Sequence, residues 1–299
     1  MLEKNISYSE KTRNMYLQLR PVWDELNGNF CNYANIKGEA LSLQAYGENG
    51  RRQYGDIDIL ISRENIKFLE KILKKNGFYT KDTSKYDKIL YLSASHQTTP
   101  WKKTLDNGFS ISVDVNFDVF WGEYTGKRFN MDSFLHDAKS CVIFGCTVKV
   151  LPIMKAFIQL VLHHYKEMNS IYHLATHNSI NRKMFDDVYN LIVNNKKELS
   201  VSSLYESCVA YDIVPYVYYI LFYTYLIYRD DFLGKYVEKF SCEEGDYLLD
   251  KYGLSKKEQK VWKFDFETRL KSENLLTLIK NDLTDTDFNK IKDNIDLFD

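Results

Sequence analysis

The chain is short of net charge, of paired cysteines and of apolar runs long enough to cross a membrane, and each shortage excludes something. Its 40 basic and 41 acidic residues leave a net charge of -1. That balance weighs against a general nucleic-acid binder, a class that carries a basic excess or stripe. Five cysteines (Cys31, Cys141, Cys146, Cys208 and Cys242) include no C-x-x-C pair, so neither a cysteine zinc site nor a redox motif is indicated. An odd, scattered set makes no disulfide framework, and the chain reads as cytoplasmic with reduced thiols. Met1 to Glu10 is polar and lacks the apolar core of a secretory leader. The most apolar stretch, Ile213 to Tyr228, spans 16 residues, short of the roughly 20 a spanning helix needs. It contains Pro215 between flanking Asp212 and Arg229, and is read as a buried helix of an α-helical core rather than a membrane anchor.

What is present is an ordinary globular composition, 44% hydrophobic and 27% charged over 299 residues, enough for two domains of about 150 residues. The N-terminal half mixes helix and strand signals, and the C-terminal half is nearly all helical. An amphipathic segment runs from Ser9 to Leu26, with a bend expected at Pro21. Tyr33 to Lys37 predicts a short strand ending at Gly38, Ala40 to Tyr46 a helix, and Gly47 to Gly55 a polar loop. Asp56 to Ser62 alternates as a strand with one buried face. Arg63 to Asn76 predicts a helix stopped by Gly77. Lys88 to Ser95 and Phe109 to Phe117 are two further expected strands, joined by a polar loop holding Pro100 and Gly108. Leu151-Pro152 opens a helix running to Lys166. Helices follow over Asn181 to Asn194, Val201 to Tyr211, Val214 to Tyr228 and Phe232 to Phe240, and through the remaining residues. The expected boundary falls at Val150, giving domains 1–150 and 151–299.

Asp56 and Asp58 stand at i and i+2 of the first long strand, so both carboxylates leave one face, roughly 7 Å apart at Cα. Ile57, Ile59 and Ile61 point the other way. Two acids on one face repel unless a cation lies between them, and Mg²⁺ favours one or two carboxylates plus substrate phosphates. On the later strand, Ser110, Ser112, Asp114, Asn116 and Asp118 alternate with Phe109, Ile111, Val113, Val115, Phe117 and Val119. A neighbouring strand would thus bring Asp114 beside Asp56 and Asp58, and three carboxylates can hold two metals about 3.5 to 4 Å apart. The bland alternative is a solvated strand face, where acids are common. Gly38, between a strand and a helix, adds a turn whose backbone N–H groups can receive phosphate oxygens.

The order strand, Gly, helix, Asp-x-Asp strand and third acid resembles the polymerase β-type nucleotidyltransferases. Ile36-Lys37-Gly38, then Leu41, Tyr46, Arg52 and Asp56-Ile57-Asp58-Ile59-Leu60, are similar to a bacterial family within that superfamily. Ile158 to His163 and Phe185 to Ile192 resemble its helical region. The resemblance implies an α+β fold, a polymerase β-like core of small mixed sheet and helices followed by an all-α domain, with an active-site cleft between them. It further implies transfer of a nucleoside monophosphate from an NTP to an acceptor hydroxyl with release of pyrophosphate. Asp56, Asp58 and Asp114 would be catalytic and would hold Mg²⁺ or Mn²⁺; Lys37, Gly38, Ser42 and Arg52 would meet the nucleotide. Two positions depart from the pattern: Glu39 replaces the superfamily's second Gly or Ser, and Asn116 stands where the family has His.

The neutral charge favours a small molecule or a peptide as acceptor over RNA, and a non-catalytic nucleotide-binding module is the rival of another class. His163 or His164 resembles the family's helix histidine and is expected to pack that helix, with Asp187 as partner. His173 and His177 have i, i+4 spacing, which suits a metal, but no Glu lies between them as a metalloprotease motif requires. The tyrosines of 205–228 are read as packing rather than a stacking platform.

Overall fold

Ile57, Ile59 and Ile61 become the middle of a mixed sheet in the computed structural model, which describes residues 8–29, 31–52, 54–81 and 96–298. Strand β2 (Ile57–Ile61) lies between β1 (Tyr33–Ile36), antiparallel to it, and β5 (Ser110–Asn116), parallel to it. Outward from β5 come β4 (Trp101–Thr104) and β3 (Tyr79–Thr80), both in antiparallel pairings. Outward from β1 come β7 (Cys146–Val150), parallel to β1, and its hairpin partner β6 (Lys139–Ile143). Among the described residues the order is β3-β4-β5-β2-β1-β7-β6. This is the expected α+β class, a mixed sheet followed by a helical region. The strand expected over Lys88 to Ser95 lies outside the described residues.

The chain divides into two compact units, residues 1–123 with 127–156, and residues 124–126 with 157–299. In the first unit one face of the sheet carries Ile57, Ile59, Ile61, Ile111, Val113 and Val115, all buried in one core. Helix α1 (Tyr8–Gln18), helix α2 (Arg20–Gly28) and the residue between them supply Tyr16, Trp23, Leu26 and Leu19 to the same core. The expected single bent helix is two helices, because Pro21 sits in the first turn of α2, where its missing N–H costs nothing. Trp23 stacks on Tyr16 at 6.2 Å and on Tyr33 at 6.0 Å between ring centroids. Helix α3 (Gly38–Tyr46) follows β1, and α4 (Ile66–Lys75) follows β2 through a short 3-10 turn.

Four strands of this unit, β3, β4, β6 and β7, were not foreseen. β4 is Trp-Lys-Lys-Thr, polar except at the buried Trp101, and gave no run of apolar residues to read. The β6–β7 hairpin turns at Phe144 and Gly145, both with positive φ (48° and 77°). Such a two-residue turn requires that geometry at both positions, and Phe-Gly is an unusual way to supply it.

In the second unit several helices begin where Ser, Asn or Asp accepts from the first turn. Helix α5 (Met131–Leu135), still in the first unit, is capped by Asn130. Helix α6 (Ile153–Asn169) leads into the second unit, followed by α7 (Ile171–Thr176, capped by Ser170), α8 (Arg182–Asn194, Asn181) and α9 (Val201–Ala210, Ser200). The most apolar helix, α10 (Val214–Tyr228), buries Val217, Tyr219, Ile220 and Leu221. It packs on α8, on α9, on α11 (Asp231–Phe240) and on α12 (Glu243–Leu248). No helix of the described residues is long and apolar enough to cross a membrane. Several tyrosine hydroxyls find polar partners: Tyr218 donates to Asp246 at 2.7 Å, Tyr228 to Asp186, and Tyr236 to the Leu199 carbonyl at 2.7 Å. Beyond α12 the expectation of helix alone is corrected. A small hairpin, β8 (Lys251–Tyr252) with β9 (Lys260–Val261), precedes α13 (Phe266–Lys271), α14 (Leu276–Ile279) and α15 (Asp285–Phe298).

One buried chain of hydrogen bonds ties the N-terminal helix to the sheet. The Tyr16 hydroxyl donates to Asn35 Oδ1, and Asn35 Nδ2 donates to the Asp58 carbonyl at 2.9 Å. Tyr16 and Asn35 are both buried. Tyr16→Phe would leave the Asn35 oxygen unpartnered in the core and is expected to lower the unfolding free energy by about 1–3 kcal/mol. Urea denaturation followed by circular dichroism measures it, and an unchanged midpoint would contradict the network.

Candidate active site

Register decides which acids meet. On the antiparallel side Ile36 pairs with Asp58, and on the parallel side Asp58 pairs with Asp114. Cross-strand partners share a face of the sheet, so Asp58 and Asp114 stand side by side, about 4.8 Å apart at the backbone. Asp56 lies just before β2, half-buried. Its carboxyl is raised to about 6 by burial and then by the charge of Asp58, against the opposing pull of Lys37 and Arg52. Asp56 and Asp58 are thus coupled electrostatically, and Asp58 shares with Asp114 the face opposite the isoleucines.

A cation already sits on Asp58. Lys37 follows the residue paired with Asp58, and its Nζ lies 2.6 Å from Asp58 Oδ1, with Asp58 only 5% exposed. To turn from β1 into α3 the backbone takes φ 53° and ψ -145° at Lys37 and φ 39° at Gly38. A positive φ at a side-chain-bearing residue stores strain, and such strain gathers at functional sites. At Gly38 a Cβ would also stand 3.2 Å from the Tyr54 ring. Glycine is thus required by conformation and by space. The same turn opens the N-terminus of α3, whose backbone N–H groups favour an anion.

The loop after α3 is held from beneath by two side chains with 0% exposure, Glu39 and Ser42. Glu39 Oε2 accepts from the Gly50 N–H at 2.8 Å. Burial raises the Glu39 carboxyl above its ordinary value; the Gly50 amide, the Tyr54 hydroxyl and the Arg52 charge oppose that. The Ser42 hydroxyl donates to the Glu48 carbonyl at 2.8 Å and accepts from the N–H groups of Arg51 and Arg52 at 3.2 and 3.3 Å. Ser42, a residue expected to meet the nucleotide, is buried and bonded in this way to the loop that carries Arg52. The departure at Glu39 acquires a reason of the same kind, since a carboxylate here staples the loop to the helix.

Asn116, the second departure, donates from Nδ2 to Asp58 Oδ1 at 3.3 Å. Asp118, which the alternation put on the same face, turns away into a loop. It accepts from the N–H groups of Phe120 and Phe129 and pairs with Arg128 at 3.6 Å. The pairing of Lys37 with Asp58 and the support from Asn35 and Tyr16 were not anticipated, because each depends on strand register.

The histidines of the second unit form separate groups. His163 and His164 both lie against Glu167, one turn further along α6. Their i, i+4 and i, i+3 spacing is visible in the sequence. His173 and His177 pack edge-on against Tyr172, with Thr176 Oγ1 at 2.6 Å from His177 Nδ1. Burial above all holds His173 well below the usual imidazole range.

Residues 2–229 match the family described as "uncharacterised nucleotidyltransferase". Among solved structures the chain is similar to an antigenic nucleotidyltransferase-like protein from Paracoccidioides brasiliensis, at 16% identity over 66% of this chain and 93% of that one, with a TM-score of 0.35. It is also similar to the antibiotic-resistance factor ANT(2'')-Ia, at 12% identity over 67% of this chain and 90% of that one, with a TM-score of 0.38. No curated protein matches it. Since the family match spans well over half of the sequence, this chain belongs to that nucleotidyltransferase family.

Proposed function

We infer that this protein is a metal-dependent nucleotidyltransferase which moves a nucleoside monophosphate from an NTP to an acceptor hydroxyl. The observation that carries the reading is the in-register pair Asp58 and Asp114, with Asp56 beside them, in a chain of this family. The donor set fits Mg²⁺ or Mn²⁺, which take carboxylate oxygens. The raised Asp56 carboxyl and the Lys37 ammonium on Asp58 both report a place that calls for positive charge.

Asp56, Asp58 and Asp114 would hold the metal, which when bound neutralises charge on the α-phosphate and on the departing pyrophosphate. The α3 N-terminus at Gly38, with Lys37 and Arg52, would receive the triphosphate oxygens. Ser42 and Glu39 contribute by fixing the loop that presents Arg52. Asp114 would accept the proton of the acceptor hydroxyl as its oxygen bonds to the α-phosphorus and the bond to the pyrophosphate oxygen breaks. Positioning and charge neutralisation supply most of the catalysis in such a transfer. A small molecule or a peptide is the favoured acceptor, because the net charge is -1 and the basic residues are interspersed with acids.

The reading is tested by incubating the protein with each NTP, Mg²⁺ and cellular fractions, measuring pyrophosphate and identifying the acceptor by its mass shift. Asp58→Asn and Asp114→Asn should each reduce pyrophosphate release by at least about 100-fold. Near-wild-type turnover in Asp114→Asn would remove that residue from the site. Strongly salt-dependent binding of tRNA would move the acceptor to RNA.

Metal-free protein offers a second check through pH. A carboxyl whose folded pKa lies above its unfolded value binds its proton more tightly when folded, so ionisation weakens the fold. For Asp56 that penalty is absent below its ordinary value of 3.8 and complete above about 6. Asp56→Asn should therefore be more stable than the wild type near neutral pH, by on the order of 1 kcal/mol, and the advantage should vanish as pH falls. Asp58→Asn should be destabilised instead, because it removes the charge partner that Lys37 meets at 2.6 Å. Thermal melts across pH read both signs, and a pH-independent difference for Asp56→Asn contradicts the assignment.

A further inference from the structure

Helix α6 carries a second group of metal-ligating side chains, far along the sequence from the acids. His163, His164 and Glu167 each offer a ligand atom, and these atoms all lie within 4.8 Å of one another. At 100° per residue, Glu167 falls about 40° past His163 and about 60° short of His164 around the helix, so its carboxylate is bracketed by the two rings. His163 Nε2 is 3.1 Å from Glu167 Oε1, and His164 Nδ1 is 3.7 Å from Glu167 Oε2. Ligands of a tetrahedral ion held at 2.0–2.1 Å stand roughly 3.3 Å apart, a spacing the two distances straddle.

His164 supplies an independent observation. It is only 3% exposed, yet neither of its ring nitrogens makes a hydrogen bond among the described residues. A buried imidazole is ordinarily satisfied through at least one nitrogen, and the Glu167 carboxylate, 3.7 Å from Nδ1, stands beyond hydrogen-bond reach. The remaining members are set for exchange with solvent: His163 and Glu167 keep 17% and 27% exposure, giving an ion a way in. Ser179, itself buried, donates to the Glu167 carbonyl at 2.6 Å and fixes the backbone of the turn. Lys166, the neighbouring cation, leaves the helix about 100° from Glu167.

The geometry points to a binding site for a zinc-class transition-metal ion made by His163, His164 and Glu167. Two imidazoles and a carboxylate suit zinc or its neighbours rather than Mg²⁺, which prefers oxygen alone. Three protein ligands leave a fourth position for water or another donor. The site shares no residue with the acids around Asp58, so it stands or falls separately from the nucleotidyl-transfer reading.

The test is calorimetric titration of the full-length protein with Zn²⁺ in excess Mg²⁺, which occupies carboxylate sites. One Zn²⁺ should bind per chain. His163→Ala and the near-isosteric Glu167→Gln, each checked by circular dichroism for a native fold, should weaken binding by at least about 10-fold. Co²⁺ in place of Zn²⁺ should give d–d absorption without thiolate charge transfer. Absence of stoichiometric Zn²⁺ binding, unchanged affinity in both variants, or a thiolate band showing that cysteines hold the ion would each overturn the proposal.

Discussion

Two carboxylates held side by side on adjacent parallel strands have to be neutralised, and much of the first unit is arranged around that requirement. The β2–β5 register sets Asp58 beside Asp114, and the β1–β2 register delivers Lys37 to Asp58 at the point where β1 ends. Partial burial strengthens both the repulsion and the attraction, because screening by water is reduced. The raised Asp56 carboxyl marks what repulsion and burial remain once Lys37 and Arg52 have acted. Beneath the acids, Asn35 and Tyr16 hold the backbone at Asp58 through buried hydrogen bonds.

The polar supports serve the same end from the other side. Glu39 and Ser42 lie on α3 with their side chains buried, and each fastens part of the loop that runs from Gly47 to the start of β2. A loop of nine residues with three glycines would otherwise sample many conformations. Fastened to the helix, it presents Arg52 on the same side as Asp56, where its charge is felt. Lys37 and Gly38 take up the strain of the turn that makes this possible.

The parts of this arrangement that depend on local pattern were legible in the sequence. Alternation at residues 56–62 and 109–119 marked β2 and β5 and assigned their acids to one face. Gly38 marked the strand-to-helix turn, and the helices from α8 to α11 began within a residue or so of the expected positions. What escaped were features set by partners distant in the chain. β4 has a single buried apolar residue, so its place in the sheet comes from pairing with β5 and not from its own pattern. Glu39 read as a departure from a motif, and the hold of Glu39 and Ser42 on the loop went unseen, because the amides and carbonyls of residues 48–52 carry no side-chain signature. Asp118 shares the alternation of Asp114, yet the chain leaves the strand after Asn116 and takes it elsewhere.

The central claim is that the acids around Asp58 bind an NTP only together with a divalent ion. It is tested most directly by calorimetric titration of an NTP into the protein with Mg²⁺ and then with the ion removed by chelator. The account predicts measurable binding with Mg²⁺, loss of that binding on chelation, and the same loss in Asp114→Asn with Mg²⁺ present. Equal affinity with and without Mg²⁺, or an Asp114→Asn protein that binds as the wild type does, would contradict it.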